Sequence, residues 1–360
     1  MKRLALFAAF ALWATPAFAQ TASVSQTGSN QTAAVTQTGS ASNEVYVTQF
    51  TDNTGAQEST VLQNGVSNYA RVQMSQTGTG GIVPINTAFL RQVGDHNDMR
   101  QSVLAPGSNQ GQHVDAEQIG NRNTGVQDID RGYGIALDLE QRGNRNDSRQ
   151  TTSSPGAGYV GGDVYQNGND NTARQDLAGG FVQDFSVRQV GNANTGTQDM
   201  TSVGQWDFHN SAEIDQTGND NEARQILNFL DPVTPTNSHA EVDQNGNGNY
   251  VRQASTGGNF YQRVRQDGNS NWARTDADGD ENYLNARMSD GAYLRATQTG
   301  NMNSLFGTGG AGTEARILNG SSLTMTQTGD MNSSFVNMVT GGTATISQIG
   351  NSNSATVIQN

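Results

Sequence analysis

The sequence has no cysteine, and Lys2 is the only lysine in its 360 residues. Without cysteine, neither a disulfide framework nor a thiolate metal site can hold the chain together. Apolar residues are also scarce, because the residues A, V, I, L, M, F, W, Y and C make up 33% of the chain, whereas 43 residues are glycine. This composition argues against several separate globular cores, so the few apolar side chains must be placed carefully for the chain to fold.

The first nineteen residues have the composition of a secretory signal peptide. Two basic residues precede an apolar run at 4–13, and Ala17-Phe18-Ala19 forms a small-x-small cleavage site. The apolar run is too short to cross a bilayer comfortably, and no later segment approaches the length of a spanning helix. We therefore expect residues 1–19 to be removed and the mature chain, beginning at Gln20, to be exported through the periplasm and secreted.

The mature chain is acidic and contains little positive charge. Without the signal peptide, 18 basic residues, all arginine, face 33 acidic ones, which gives a net charge of −15. Such a balance argues against binding to nucleic acid or to an acidic membrane surface. We expect no nucleic-acid partner.

One repeat, Gln-x-Gly-Asn-x-Asn or a close variant, dominates the remaining sequence. It occurs eleven times, and successive first glutamines lie 21 to 32 residues apart. Those first glutamines are Gln92, Gln118, Gln141, Gln166, Gln189, Gln216, Gln244, Gln266, Gln298, Gln327 and Gln348. Looser copies begin at Gln26 and Gln63, and partial copies at Gln37 and Gln76. The chain is thus a repeat protein rather than a set of unrelated domains.

Apolar residues alternate with polar ones before each first glutamine. The residue two positions earlier is apolar in all eleven copies, and the residue four positions earlier is mostly apolar or small. A period of two predicts a β-strand whose inward face carries these residues and the glutamine. We therefore predict that Val164, Val187, Ile214 and Val242 stack in one column.

The residues after each first glutamine predict a tight turn followed by a second strand. The turn glycines, which accept positive φ, are Gly94, Gly120, Gly143, Gly168, Gly191, Gly218, Gly246, Gly268, Gly300, Gly329 and Gly350. The asparagines predicted to open the inward face of the second strand are Asn97, Asn123, Asn146, Asn171, Asn194, Asn221, Asn249, Asn271, Asn303, Asn332 and Asn353. A small residue and a second glutamine, such as Ala223 and Gln225, continue that face.

These elements predict an all-β fold, a β-solenoid of stacked strand–turn–strand (β-arch) repeats with amyloid-like cross-β character. The two strands of each arch lie in different sheets, and each strand stacks on its equivalent in the next repeat. Inward Gln and Asn side chains then form ladders along the axis, each amide bonded to its neighbours. We expect regular repeats over 87–360 and irregular ones over 20–86.

The pattern Gln-x-Gly-x-x-Asn-x-Ala, followed by a further Gln, resembles the curlin repeat of bacterial curli fibre subunits. The resemblance covers Gln92 to Asn360 well and Gln20 to Gly80 loosely. It implies a secreted functional amyloid that leaves the cell through an outer-membrane pore, is nucleated at the surface and polymerises into biofilm fibres. The implied partners are further copies of the chain, a curli-type secretion pore and a nucleator subunit, with no cofactor.

Two alternatives stay open, a monomeric secreted β-solenoid adhesin and a fibre-nucleating minor subunit. Ice binding requires flat outward threonine arrays, whereas the outward positions are mixed Arg, Asp, Thr and Tyr. An enzyme on a β-helix requires clustered carboxylates with a basic partner, and none is discernible, so we expect no enzymatic activity.

Two further features, an acidic stretch and the histidines, have ordinary structural interpretations. Asp276–Asn282 resembles a calcium loop but lacks the required glycine and glutamate positions, so we interpret it as a solvated loop between repeats. The histidines, His96, His113, His209 and His239, have no ligand spacing.

Arginines recur eight positions after the first glutamine, namely at Arg100, Arg149, Arg174, Arg224, Arg252 and Arg274. We interpret this outward column as charge that keeps amide-rich strands soluble, offset by aspartates such as Asp176; an adhesive stripe is the alternative.

Overall fold

The predicted alternation of inward and outward side chains is realised in 29 β-strands. A computed structural model describes residues 20–52, 55–77, 85–106, 111–131, 134–153, 160–179, 183–202, 210–229, 239–310 and 312–360. No α-helix occurs in these ranges, and hence none that could cross a membrane. The predicted signal peptide, residues 1–19, lies outside them.

The strands form two parallel sheets. Sheet A contains β1 (Thr21–Thr27), β3 (Glu44–Thr51), β5 (Tyr69–Thr77), β7 (Asp98–Pro106), β9 (Thr124–Asp130), β11 (Asp147–Ser153), β13 (Thr172–Ala178), β15 (Thr195–Ser202), β17 (Glu222–Phe229), β19 (Tyr250–Thr256), β21 (Trp272–Asp278), β23 (Tyr293–Thr299), β26 (Ser322–Thr328) and β28 (Thr343–Ile349). Sheet B contains β2 (Gln31–Ala41), β4 (Ala56–Val66), β6 (Ile85–Val93), β8 (His113–Ile119), β10 (Ile135–Asn144), β12 (Val160–Asn169), β14 (Gln183–Val190), β16 (Asn210–Thr217), β18 (His239–Asn245), β20 (Tyr261–Asp267), β22 (Tyr283–Ser289), β24 (Ser304–Phe306), β25 (Ala315–Ile317), β27 (Ser333–Met338) and β29 (Ser354–Gln359).

Up to β24, consecutive strands lie in opposite sheets, and each pairs in parallel with the equivalent strand of the next repeat. This is the topology of a β-solenoid, so the predicted fold class is confirmed. We call one sheet A strand, the adjoining turn and the next sheet B strand a coil. The first arch connects sheet B to sheet A, and the second arch connects sheet A to sheet B.

One continuous apolar core lies between the two sheets. The predicted column is confirmed, because Val164 pairs with Val187, Val187 with Ile214 and Ile214 with Val242. All four side chains are buried. Since the strands are parallel and in register, each motif position meets its own equivalent one coil away.

Strands β24 and β25 share one level of sheet B. Both pair with β22 on one side and with β27 on the other. The segment between them, 307–314, interrupts what would otherwise be a single strand. Counted this way, sheet B has as many levels as sheet A has strands, which is 14.

The repeat shifts by half a coil near Met288. First glutamines from Gln92 to Gln266 lie in sheet B, but Met288 takes the next position of that column. Gln298 instead pairs with Ala277 in sheet A, and Gln327 and Gln348 follow it there. The prediction that each strand stacks on its equivalent in the next repeat therefore fails at one step, from the Gln266 repeat to the Gln298 repeat.

The shift coincides with a change in the second arch. From Gly279 onward this arch contains the same Gly-x-x-Asn turn as the first arch, as in Gly279–Asn282. With tight turns at both ends of the strand, the glutamine motif can occupy either sheet. Strand pairs β4–β6 and β5–β7 continue both sheets across the expected boundary at 86/87, which stays a prediction about the regularity of the repeats.

Candidate functional site

A ladder of buried glutamines runs along sheet B. From Gln37 to Gln266, each Nε2 donates to the Oε1 of the glutamine in the next coil, over 2.8–3.0 Å. The ladder ends where Gln266 Nε2 meets Met288 Sδ at 3.7 Å. All donors therefore point in the same direction along the axis, and the ladder has a polarity.

The same amides also tie the two sheets together. The Nε2 of Gln92 donates to the backbone carbonyl of Tyr69 across the core at 2.9 Å, and that of Gln141 to the carbonyl of Thr124 at 3.0 Å. Because an amide NH₂ carries two hydrogens, one bond along the axis and one across the core use both. These side chains are thus buried without an unsatisfied donor.

The second glutamine of each repeat forms a parallel ladder in sheet A. From Gln101 to Gln253, each Nε2 donates to the next Oε1 over 2.9–3.0 Å. Gln101 also donates to the carbonyl of Phe89 in sheet B. Glutamine side chains of both sheets therefore donate hydrogen bonds across the interior.

The inward asparagines form a third ladder inside the first arch. The Nδ2 of Asn221 donates to Asn194 Oδ1 at 3.1 Å and to the carbonyl of Gly246 at 2.8 Å. Its own Oδ1 accepts the backbone N–H of Asn249 at 3.1 Å. One asparagine thus connects three coils. A further, exposed asparagine ladder runs outside it, as in Asn192 to Asn219 at 3.0 Å.

The turn glycines are required for two reasons, and Gly191 shows both. Its φ is +123°, a conformation that residues with a Cβ adopt only under strain. A Cβ there would also collide with the carbonyl of Gly218 in the next coil. The predicted glycines therefore let successive arches stack in contact.

The predicted inward glutamines and asparagines are all buried except Asn353, which is half-buried in the last coil. Those of the first eight copies share the sheet B glutamine ladder and the first-arch asparagine ladder. Those of the last three copies form separate ladders in sheet A and the second arch, where Gln298 donates to Gln327 at 2.9 Å and Gln327 to Gln348 at 2.8 Å.

Four of the six predicted outward arginines on sheet A form ion pairs with aspartates. Arg174 pairs with Asp176 at 2.5 Å, and Arg274 pairs with Asp276 at 2.7 Å. Arg100 pairs with Asp98 at 3.1 Å. These exposed pairs offset the stacking of like charges, as the solubility interpretation expects.

Two histidines each meet a hydroxyl group of the preceding coil and a carboxylate two residues along their own strand. His239 bonds Ser211 Oγ at 3.0 Å and Glu241 at 3.2 Å, and His113 contacts Asp115 at 3.1 Å. In the described chain, one group of potential metal ligands was found, His113 with Asp115 and Asp138. This group was not predictable from the sequence, because only the register between coils brings Asp138 to His113.

A shallow cleft of about 390 Å³ on sheet B is lined by carboxylates. Asp115 pairs with Asp138, and Asp138 pairs with Asp163, so the three form one outward column. Burial raises the pKa of Asp138, and the Asp115 carboxylate raises it further. Burial likewise raises the pKa of Asp163, with Asp138 and Asp184 adding to the effect.

Aromatic residues form stacks on both outer faces of the later coils. Trp272 lies between Tyr250 and Tyr293 on sheet A, with ring centroids 5.7 and 4.6 Å away. On sheet B, Tyr261 stacks on Tyr283 at 4.7 Å. The sequence signal for these stacks is an aromatic residue just after an arch. On sheet A it recurs at spacings of 22 and 21 residues.

The calcium-like stretch Asp276–Asn282 contains the second arch between β21 and β22. Two of its four carboxylates are engaged within the solenoid, since Asp276 pairs with Arg252 and Arg274, and Asp280 accepts the backbone N–H of Gly258 at 2.7 Å. The stretch thus serves as the turn within one coil.

The two terminal coils differ from the interior in charge and in pairing. Residues 20–43 and 331–360 contain no Asp, Glu, Lys or Arg. Among the described strands, β1 and β2 pair on one side only, as do β28 and β29. Inward apolar side chains such as Val24 and Val357 are consequently only partly buried.

Comparison with known proteins leaves the family open. No protein-family model matches the chain, and no curated protein matches it significantly.

Proposed function

We propose that the protein is a secreted structural subunit that self-assembles end to end into extracellular, curli-like amyloid fibres for adhesion and biofilm matrix. The observation that carries the proposal is the pair of charge-free terminal coils. Soluble β-proteins usually protect exposed strand edges with charges or proline, because open edges recruit further strands. Here the described edges lack charge while the interior coils carry it on their outer faces.

The chemistry of the interior supports the same proposal. Glutamine and asparagine ladders are repetitive along the axis, so an additional coil forms the same bonds as the coil before it. If the chain belongs with the curlin-repeat proteins that it resembles, an outer-membrane secretion pore and a nucleator subunit are its further partners.

The test is fibre growth by the mature chain from Gln20. We expect wild-type protein to form thioflavin-positive, detergent-resistant fibres with cross-β diffraction. In the double variant Ala355→Asp, Val357→Asp, two carboxylates on the inward face of β29 would be buried between subunits. Burying unpaired ions costs several kcal/mol each, so seeded growth measured by light scattering should stop.

The matched control is Thr356→Asp, whose side chain lies on the exposed face between the two. It should leave seeded growth close to wild type. A wild-type chain that stays monomeric for days at high concentration would favour the monomeric adhesin. Equal growth of the inward double variant would show that this edge is not the assembly surface.

A further inference from the structure

The first and last coils of the chain are close copies of each other. Aligned without gaps, residues 21–37 and 343–359 have the same residue at eight of 17 positions. The other positions are mostly conservative, such as Val24 against Ile346 and Ser23 against Thr345.

The two segments also end the same columns of the solenoid. In sheet A, the column that begins at Gln26 runs through Gln49 and ends at Gln348. In sheet B, the column that begins at Gln37 ends at Gln359. Sequence match and column match therefore coincide.

The arches of the two coils have matching backbones. Gly28 and Gly350 have φ values of +117° and +101°, and Asn30 and Ser352 have values of +57° and +59°. Stacked interior arches share this conformation, as at Gly191. The arch at Gly350 of one copy can thus stack on the arch at Gly28 of another without rearrangement.

The half-coil shift near Met288 is what brings the ends into phase. Without it, Gln348 would lie in sheet B, while Gln26 lies in sheet A. With the shift, Gln348 ends the sheet A ladder, where it accepts from Gln327. Its own Nε2 would then donate to the Oε1 of Gln26 in another copy.

Resting on the proposed function, we propose that fibre subunits join in one register and one polarity. The β28–β29 coil of one copy stacks on the β1–β2 coil of the next, with Ala344 on Ala22, Ile346 on Val24 and Gln348 on Gln26. Within each ladder the donors point one way, towards the last coil in the glutamine ladders and towards the first coil in the inward asparagine ladder. Contacts between two first coils or two last coils would break these directions. A head-to-tail contact between two different surfaces repeats without closing, which gives a filament.

Because the chain has no cysteine, introduced cysteines can report this register without background. The matched pair is Ser23→Cys with Thr345→Cys, two outward positions that belong to one column. They lie at opposite ends of one solenoid, so a disulfide between them must join two copies. In-register parallel neighbours are about 4.8 Å apart, within disulfide range, whereas an offset of two residues gives about 8 Å, beyond it.

The offset control is Ser23→Cys with Ser347→Cys. After mild oxidation of preformed fibres, non-reducing gels should show ladders of covalent multimers for the matched pair and several-fold less product for the offset pair. Equal or greater cross-linking of the offset pair would overturn the register. Dimers from Ser23→Cys alone would overturn the polarity.

A second matched pair on sheet B, Thr36→Cys with Ile358→Cys, keeps the test decisive if the first pair impairs assembly. Its offset control is Thr36→Cys with Thr356→Cys, and the same contrast is expected. Fibres that form but cross-link in another register reject this inference and leave the proposed function standing. A cysteine-free parent that forms no fibre rejects the proposed function itself.

Discussion

At the scale of single residues, the interior depends on amides that are polar and yet fully satisfied. Asn221 is buried and forms bonds to the coils on both sides of it. A leucine of similar size would fill the space but leave several backbone and side-chain groups without partners. Leaving buried polar groups unpaired costs about 1–3 kcal/mol. Asparagine is therefore required at this position because the neighbouring coils need its amide as a hydrogen-bond partner.

We therefore expect Asn221→Leu to destabilise the solenoid by about 1–3 kcal/mol and to slow assembly. Urea unfolding and fibre growth rate measure the two effects. The matched control is Asp220→Asn, because Asp220 lies exposed in the same arch at a φ of +56° that asparagine tolerates. Damage from Asp220→Asn equal to that from Asn221→Leu would mean that the arch backbone, not the inward amide, carries the stability.

At the scale of strands and arches, periodicity predicted which side chains point inward but not which sheet each strand joins. Val187 and Ile214 stack as their positions before the glutamine require. The shift at Met288 was not predictable from the glutamines, since their spacing is elastic throughout. Its signal was the Gly279–Asn282 turn, which has the spacing of the motif turn but no preceding glutamine.

Register also stacks groups that repel each other. Strands β8, β10 and β12 place Asp115, Asp138 and Asp163 in one outward column, where His113 pairs with Asp115 only. The raised pKa values of Asp138 and Asp163 mean that the folded state favours their neutral forms. Their favourable contribution is complete below the ordinary aspartate pKa of about 3.9 and is lost as pH rises through the folded values.

We expect Asp138→Asn with Asp163→Asn to raise the urea midpoint at pH 7, with the gain shrinking towards pH 3. The opposite control is Asp170→Asn, because the Arg145 guanidinium lowers the pKa of Asp170 and favours its charged form. That variant should lose a little stability at pH 7, and the loss should shrink as pH falls below the ordinary aspartate pKa of about 3.9. A double variant that is no more stable than wild type at pH 7 would show that solvent or ions already screen the repulsion between these carboxylates.

At the scale of the whole molecule, charge and burial are distributed along the axis in a way that an average composition hides. The net charge comes from the interior, while the two terminal coils carry none. The composition alone predicted an acidic chain with little positive charge. Only the order of the coils shows that its two ends are uncharged strand edges around an apolar centre. Interior coils are paired on both sides, whereas each terminal coil is paired on one side within the described chain.

This asymmetry predicts a difference in amide hydrogen exchange between the isolated solenoid and the fibre. In the non-assembling variant Ala355→Asp, Val357→Asp, amides of β1–β2 should exchange fast, because their outer neighbours are water, while β14–β17 should be strongly protected. In wild-type fibres, β1–β2 and β28–β29 should gain protection close to that of the interior, since another copy would cover them. Mass spectrometry of peptides spanning 21–37 and 343–359 measures both states. If the first coils stay unprotected in fibres, the contact between subunits lies elsewhere, along the sides of the solenoid. If those coils exchange slowly in the isolated form, another part of the chain covers them.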